Sequence, residues 1–187
     1  MAILESTDIP HPAIEALFTI DEETGMTGAL ELKGGMLSGS IMLNLDTEDD
    51  RELTIGCAGG IDINSTGEYD THEVGDGYNC YKLMVKGLTG GHSGMDIHLG
   101  RGNANKLMNR ILYVLGKTSD LRISEIDGGG LRNAIPRESR AVIYVHEKTV
   151  AAFEEGLIAL GEKIIAEFTT TDPELEIVLE PFEAKGA

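Results

Sequence analysis

The sequence predicts two architectures in one chain. Residues 1–65 read as part of a parallel α/β unit, and residues 66–187 as an α+β unit of order β-α-β-β-α-β. Three observations carry this. The early apolar runs are short, nearly continuous and end abruptly in carboxylates, as strands covered on both faces do. The later apolar residues alternate, or recur at helical spacing, in regular succession. Between the two patterns lies a polar, glycine-bearing stretch at 62–77, DINSTGEYDTHEVGDG.

In the first half, Ile14 to Ile20 (IEALFTI) is the first strand candidate and stops at Asp21-Glu22-Glu23-Thr24-Gly25. Ile41 to Leu45 (IMLNL) stops in the same way at Asp46. Glu52 to Ile55 is a third, followed by the glycine-rich GCAGG at 56–60. Ligands of open α/β sheets sit beyond the carboxyl ends of the strands, and two of these strands carry acids there. Two or three parallel strands without partners would expose edges and two apolar faces, so this half reads as a piece of a longer protein.

In the second half, Tyr81, Leu83 and Val85 alternate with Lys82 and Lys86, as in a strand with one wet face. Ala104, Leu107, Met108, Ile111 and Leu115 fall at helical spacing. Leu121 with Ile123, then Ala141, Ile143 and Val145, mark two further strands, the latter ending near His146. Val150, Phe153, Leu157, Leu160, Ile164 and Phe168 mark a second helix, with Thr149 as the expected N-cap. Leu175, Ile177 and Leu179 alternate with glutamates in a last strand. The expected packing is ferredoxin-like, with two amphipathic helices on one face of a four-stranded antiparallel sheet.

Composition narrows the function. A net charge of −17 repels phosphate backbones and attracts cations, so nucleic acid is not an expected partner. No apolar run approaches the ~18 residues of a membrane span, and the start shows no basic stretch with an apolar core. Cys57 and Cys80 have neither metal spacing nor a disulfide framework. A cytoplasmic protein with reduced thiols is the expectation.

Four segments carry chemistry. Adjacent Glu22 and Glu23 at a strand-to-loop bend can approach one site, where one holds a metal and the other handles a proton. A solvated acidic loop is the plainer reading. Asp46 follows its strand in the same way, and convergent carboxylates suit zinc, manganese, cobalt or magnesium. In Gly90-Gly91-His92-Ser93-Gly94 the glycines permit close backbone approach, and an exposed His92 can donate to an oxyanion or titrate near neutral pH. A simple turn with a solvated histidine is the alternative. His98 reads as a second ligand or as a surface residue at a helix entry, and His11, His72 and His146 as surface or structural. In Gly128-Gly129-Gly130-Leu131-Arg132-Asn133-Ala134-Ile135-Pro136-Arg137, a turn, the donors of Arg132, Asn133 and Arg137 also match a carboxylate.

Taken in order, DEETG at 21–25, NLDTED at 44–49, GCAGG at 56–60, GGHSG at 90–94 and GGGLRNAIPRE at 128–138 resemble the aminoacyl-histidine dipeptidases, part of the two-zinc aminoacylase and carboxypeptidase family. The segment HLGRGNANKLMNRIL at 98–112 looks especially like this subgroup, and the likeness runs along the whole chain. It implies a zinc-peptidase catalytic domain contributing residues 1–65 and a lid or dimerisation domain, or its first half, in 66–187. It implies Glu22 as general base, Glu23 and Asp46 as ligands of a zinc pair that cobalt or manganese could replace, and His92 as oxyanion donor, often in a partner subunit's site. Asn133, and more weakly Arg137, would hold substrate. The implied reaction is hydrolysis of Xaa-His dipeptides, carnosine included, by a cytoplasmic homodimer.

The sequence departs from that pattern. The family's upstream His-x-Asp motif, bridging Asp and distal His ligand do not occur in these residues. The chain by itself is therefore expected to lack dipeptidase activity and to bind zinc weakly. A non-catalytic dimerisation or small-ligand module is the alternative. A cation buffer on the acidic run from Asp46 to Glu52 is a third reading, although the run lacks a calcium loop's alternating ligands and central glycine.

Overall fold

The computed structural model describes residues 2–23, 25–46, 49, 51–56 and 59–183. The chain divides into two compact units, Met1–Ser65 and Thr66–Ala187.

The first unit corrects an expectation. None of the three strands read at 14–20, 41–45 and 52–55 forms, and its described residues hold only two single-turn helices, α1 (Ala2–Glu5) and α2 (Thr27–Leu30). The physical reason lies in the runs themselves. A strand apolar on both faces needs a neighbour for its backbone groups and a cover on each side. Without these, Leu43 is 80 % exposed and Leu53 96 % exposed. Local polar contacts give what order there is. The Glu15 carboxylate accepts from the Ser38 and Gly39 amides, each at 2.8 Å, and from the Ser38 hydroxyl at 3.1 Å. Those amide donors hold its carboxyl below the usual range. Cys57, and Thr47, Glu48 and Asp50 of the acidic run, lie outside the described residues.

The second unit forms as its periodicity predicts. Its elements are β1 (Tyr78–Lys86), β2 (Gly91–His92), α3 (Ala104–Leu115), β3 (Leu121–Gly128), β4 (Ala134–Ile135), β5 (Ser139–His146), α4 (Val150–Phe168) and β6 (Glu176–Pro181). The main sheet has the order β3-β5-β1-β6 and every pair is antiparallel. Leu83 pairs with Ala141 on one side and Leu179 on the other, so three strands send one row of side chains to the same face. That face meets α3 and α4. Leu83, Val85, Ile111, Ile143, Val145, Phe153 and Ile164 are fully buried between the layers.

The helices have identifiable starts and contacts. The Asn103 side chain accepts from the Lys106 amide at 3.1 Å and caps α3. A methyl at Gly156 of α4 would sit 2.9 Å from Leu115 Cδ2, so this glycine lets the helices approach closely. Arg110 of α3 grips Glu167 of α4 with two bonds, at 2.6 and 2.8 Å. Thr149 occupies the N-cap position of α4 but makes no capping bond. Its hydroxyl accepts from the Asp120 amide and donates to the His146 carbonyl instead. Edge strand β3 carries a bulge between Ile123 and Glu125.

Candidate functional site

The glycine-framed histidine and the Arg-Asn segment meet in a small ribbon. β2 pairs antiparallel with β4, Gly91 against Ile135 and His92 against Ala134, and the Ser93 amide donates to the Asn133 carbonyl at 2.8 Å. His92 and Asn133, forty-one positions apart in number, are thus held by one backbone pairing. The Arg137 side chain lies against Gly90, where an added Cβ would overlap it, and it is not among the residues that line the recess described below. Gly90 and Gly91 have φ of 68° and 141°, a conformation only glycine takes easily.

The exposed His92 ring is oriented by its own turn. Nδ1 accepts from the Gly94 amide at 3.0 Å and the Met95 amide at 3.1 Å. With Nδ1 an acceptor, the proton of the neutral ring belongs on Nε2, which makes the outer nitrogen a donor. The His92 amide donates to Asp96 Oδ2 at 2.8 Å. Arg101 pairs with that carboxylate at 3.4 Å and donates to the Gly90 carbonyl at 2.7 Å. Beside the ribbon lies an open recess of about 540 Å³ whose lining includes Ser93, Arg101, Lys106, Arg132 and Ile135. This gathers cationic donors in an acidic chain and suits a carboxylate.

No local sequence pattern marks Asp96 and Arg101, which hold this loop, or Asp172, which accepts from the Thr89 and Gly102 amides at its two ends. Arg101 lies inside the HLGRGNA segment, a signal that pointed to the region but not to the residue. Asp172 sits in TTTDP, which reads as a polar turn. His98 is exposed in the turn Ile97–Leu99, and His146 is structural, its Nδ1 accepting from Lys148 and its ring against Tyr78. Cys80 is a half-buried free thiol.

The carboxylate motif lies in the other unit. The Asp21 carbonyl accepts from the amides of Gly25 and Met26, its side chain accepts from the Thr27 hydroxyl, and the Ile20 carbonyl accepts from Gly28 at 3.1 Å. The loop closes on itself, with Asp21 and Met26 at φ of 61° and 54°, and a Cβ at Gly28 would lie 2.6 Å from the Ile20 nitrogen. Such strained turns gather at functional loops. Glu22 and Glu23 lie at its tip, both exposed, and Asp46 is also exposed, its amide bonded to Asn44 Oδ1 at 2.9 Å. Among the described residues no three His, Cys, Asp or Glu side chains come close enough to hold a metal ion. The described residues alone thus do not make up the cation site that the resemblance implies.

Comparison with known proteins fits this picture. Residues 83–170 match the model of the Peptidase dimerisation domain family. Over 180 residues the chain is 41 % identical to the cytosol non-specific dipeptidase of Escherichia coli (strain K12), covering 96 % of this chain and 37 % of that protein. The crystal structure of aminoacylhistidine dipeptidase from Vibrio alginolyticus superposes with a TM-score of 0.73 at 40 % identity, over 99 % of this chain and 38 % of that one. The chain resembles an aminoacyl-histidine dipeptidase over almost its entire length. It spans little more than a third of the dipeptidases it matches. The part that matches the dimerisation family holds β1 from Leu83 onward, the His92 ribbon, both long helices and all of β3 and β5. No described helix is long and apolar enough to cross a membrane.

Proposed function

We propose that this chain is part of a longer cytoplasmic dipeptidase, a zinc-dependent hydrolase acting on dipeptides with C-terminal histidine. Residues 1–65 contribute to its catalytic domain, and 66–187 form a lid that also pairs two subunits. The observation that carries this reading is the ribbon holding His92, with Nε2 as donor, beside Asn133. An outward N–H fixed in this way is suited to a carbonyl oxygen that gains negative charge as water attacks. In the homodimer, His92 serves the partner's site. Asn133 and Arg137 hold the substrate, with the substrate carboxylate met by the cationic recess. Glu22 takes a proton from the attacking water and returns it to the leaving amine, a task its exposed place on a closed loop permits. Glu23 and Asp46 are two of the metal ligands, the rest coming from beyond these residues.

Xaa-His turnover by the full-length protein tests the base. Glu22→Gln is expected to lower kcat by about 10²–10⁴-fold, and His92→Ala by about 10²–10³-fold. Undiminished turnover in either variant overturns the role given to that residue. The 187-residue chain alone is expected to leave carnosine intact, and robust hydrolysis by pure material would contradict the assignment of missing ligands to other parts of the protein.

A further inference from the structure

We propose that Asp172, whose side-chain partners all lie outside the β2–β4 ribbon, is the positioning residue for His92. Its side chain is buried, with 1 % of the residue exposed. Oδ1 accepts from the Thr89 amide at 2.8 Å, and Oδ2 from the Gly102 amide and the Thr171 hydroxyl, each at 2.8 Å. The Thr89 hydroxyl donates in turn to the Thr171 carbonyl at 2.8 Å.

Those two amides are the two stems of one loop. Thr89 leads directly into Gly90, Gly91 and His92. Gly102 follows Arg101, whose guanidinium holds the Gly90 carbonyl and Asp96, and Asp96 holds the His92 amide. One carboxylate at the end of α4 therefore fixes both entry and exit of the segment that orients the imidazole. A buried charge is costly to keep in a core. Here all its partners are loop stems or its own neighbour, none belongs to a sheet, and both carboxylate oxygens are used. A neutral residue of the same shape cannot accept from both stems where they stand, because they bond opposite oxygens and an amide replaces one of these with an NH2 donor. Leu88 closes the arrangement, its side chain filling the place a Cβ on Gly102 would need.

What this control means for catalysis rests on the oxyanion role given to His92 above; the orientation of the ring can be read without it. Imidazole ¹⁵N spectra of the 187-residue chain, with the ring neutral, are expected to show His92 protonated on Nε2. In Asp172→Asn one stem is released, and His92 is expected to shift toward a mixture of tautomers while the methyl signals of Leu83, Val85 and Ile143 keep their native dispersion. A folded Asp172→Asn chain with unchanged His92 nitrogens would overturn the proposal, since a purely structural role lowers the melting temperature and leaves the tautomer alone. If that variant does not fold, Arg101→Ala decides. Its side chain is partly exposed, it leaves the buried carboxylate in place, and it is expected to move His92 in the same direction; a native His92 spectrum would overturn the proposal. In the full-length protein Asp172→Asn is expected to lower kcat about tenfold with KM changed less than about twofold. If His92→Ala leaves kcat unchanged, the oxyanion reading fails, and the spectra still decide whether Asp172 positions the ring.

Discussion

At Gly87, between β1 and the histidine loop, the backbone has φ of 78° and a Cβ would overlap the Glu174 carbonyl oxygen. Both the left-handed conformation and a rigid backbone neighbour oppose any side chain there. Gly87→Ala is expected to cost about 3 kcal/mol or more in denaturant unfolding, since strain and overpacking each cost roughly 1–3. Asp172 gives a second measurable effect. Burial pushes its carboxyl up, but the bonds from Gly102, Thr89 and Thr171 outweigh this and hold it below the usual aspartate range. A depressed folded value means that its stabilisation is complete above the unfolded value of about 3.9 and is lost as pH falls through the folded one. Unfolding free energy is expected to decline in that acid window for the native chain and to run flatter for Asp172→Asn. His92 and Asp172 differ in how legible they are in the sequence. His92 stands out because three glycines frame it within five positions. Asp172 does not, because its partner Thr89 is 83 positions away and no local pattern announces that pairing.

Elements with a clear period were legible. The alternation of Leu83 and Val85, and of Ala141, Ile143 and Val145, became the two central strands, and the helical spacings became α3 and α4. Phe153, the largest fully buried side chain, ties α4 to the sheet. Phe153→Ala is expected to cost about 3–5 kcal/mol by chemical denaturation, from lost burial and the cavity left behind. Elements without a period escaped. A strand of two residues such as β2 or β4 has no alternation to read, so the ribbon that unites the two motifs was invisible in the sequence. The sequence places Thr149 at the N-cap, but its hydroxyl bonds Asp120 and His146, tertiary neighbours that no capping rule anticipates. The apolar runs near residues 14, 41 and 52 carry the composition of strands in a fully covered sheet. Composition records what a segment would bury, and forming the strand requires the neighbours to bury it against.

For the whole molecule, charge is the dominant global property. A chain carrying −17 repels its own copies at long range, yet its second unit matches a dimerisation family over residues 83–170. Sedimentation is expected to show a dimer that tightens as salt rises from about 0.02 to 0.5 M, because the screening length contracts from tens of ångströms to a few. A monomer at every ionic strength would remove pairing from the proposed function. The β2–β4 ribbon has a practical consequence for redesign. GGHSG and RNAIP constitute a single exchangeable cassette, since a graft of either one alone inherits half a zipper. A donor segment one residue longer would offset its teeth and turn the imidazole away, so recombination libraries drawn from related sequences should transplant the two stretches together.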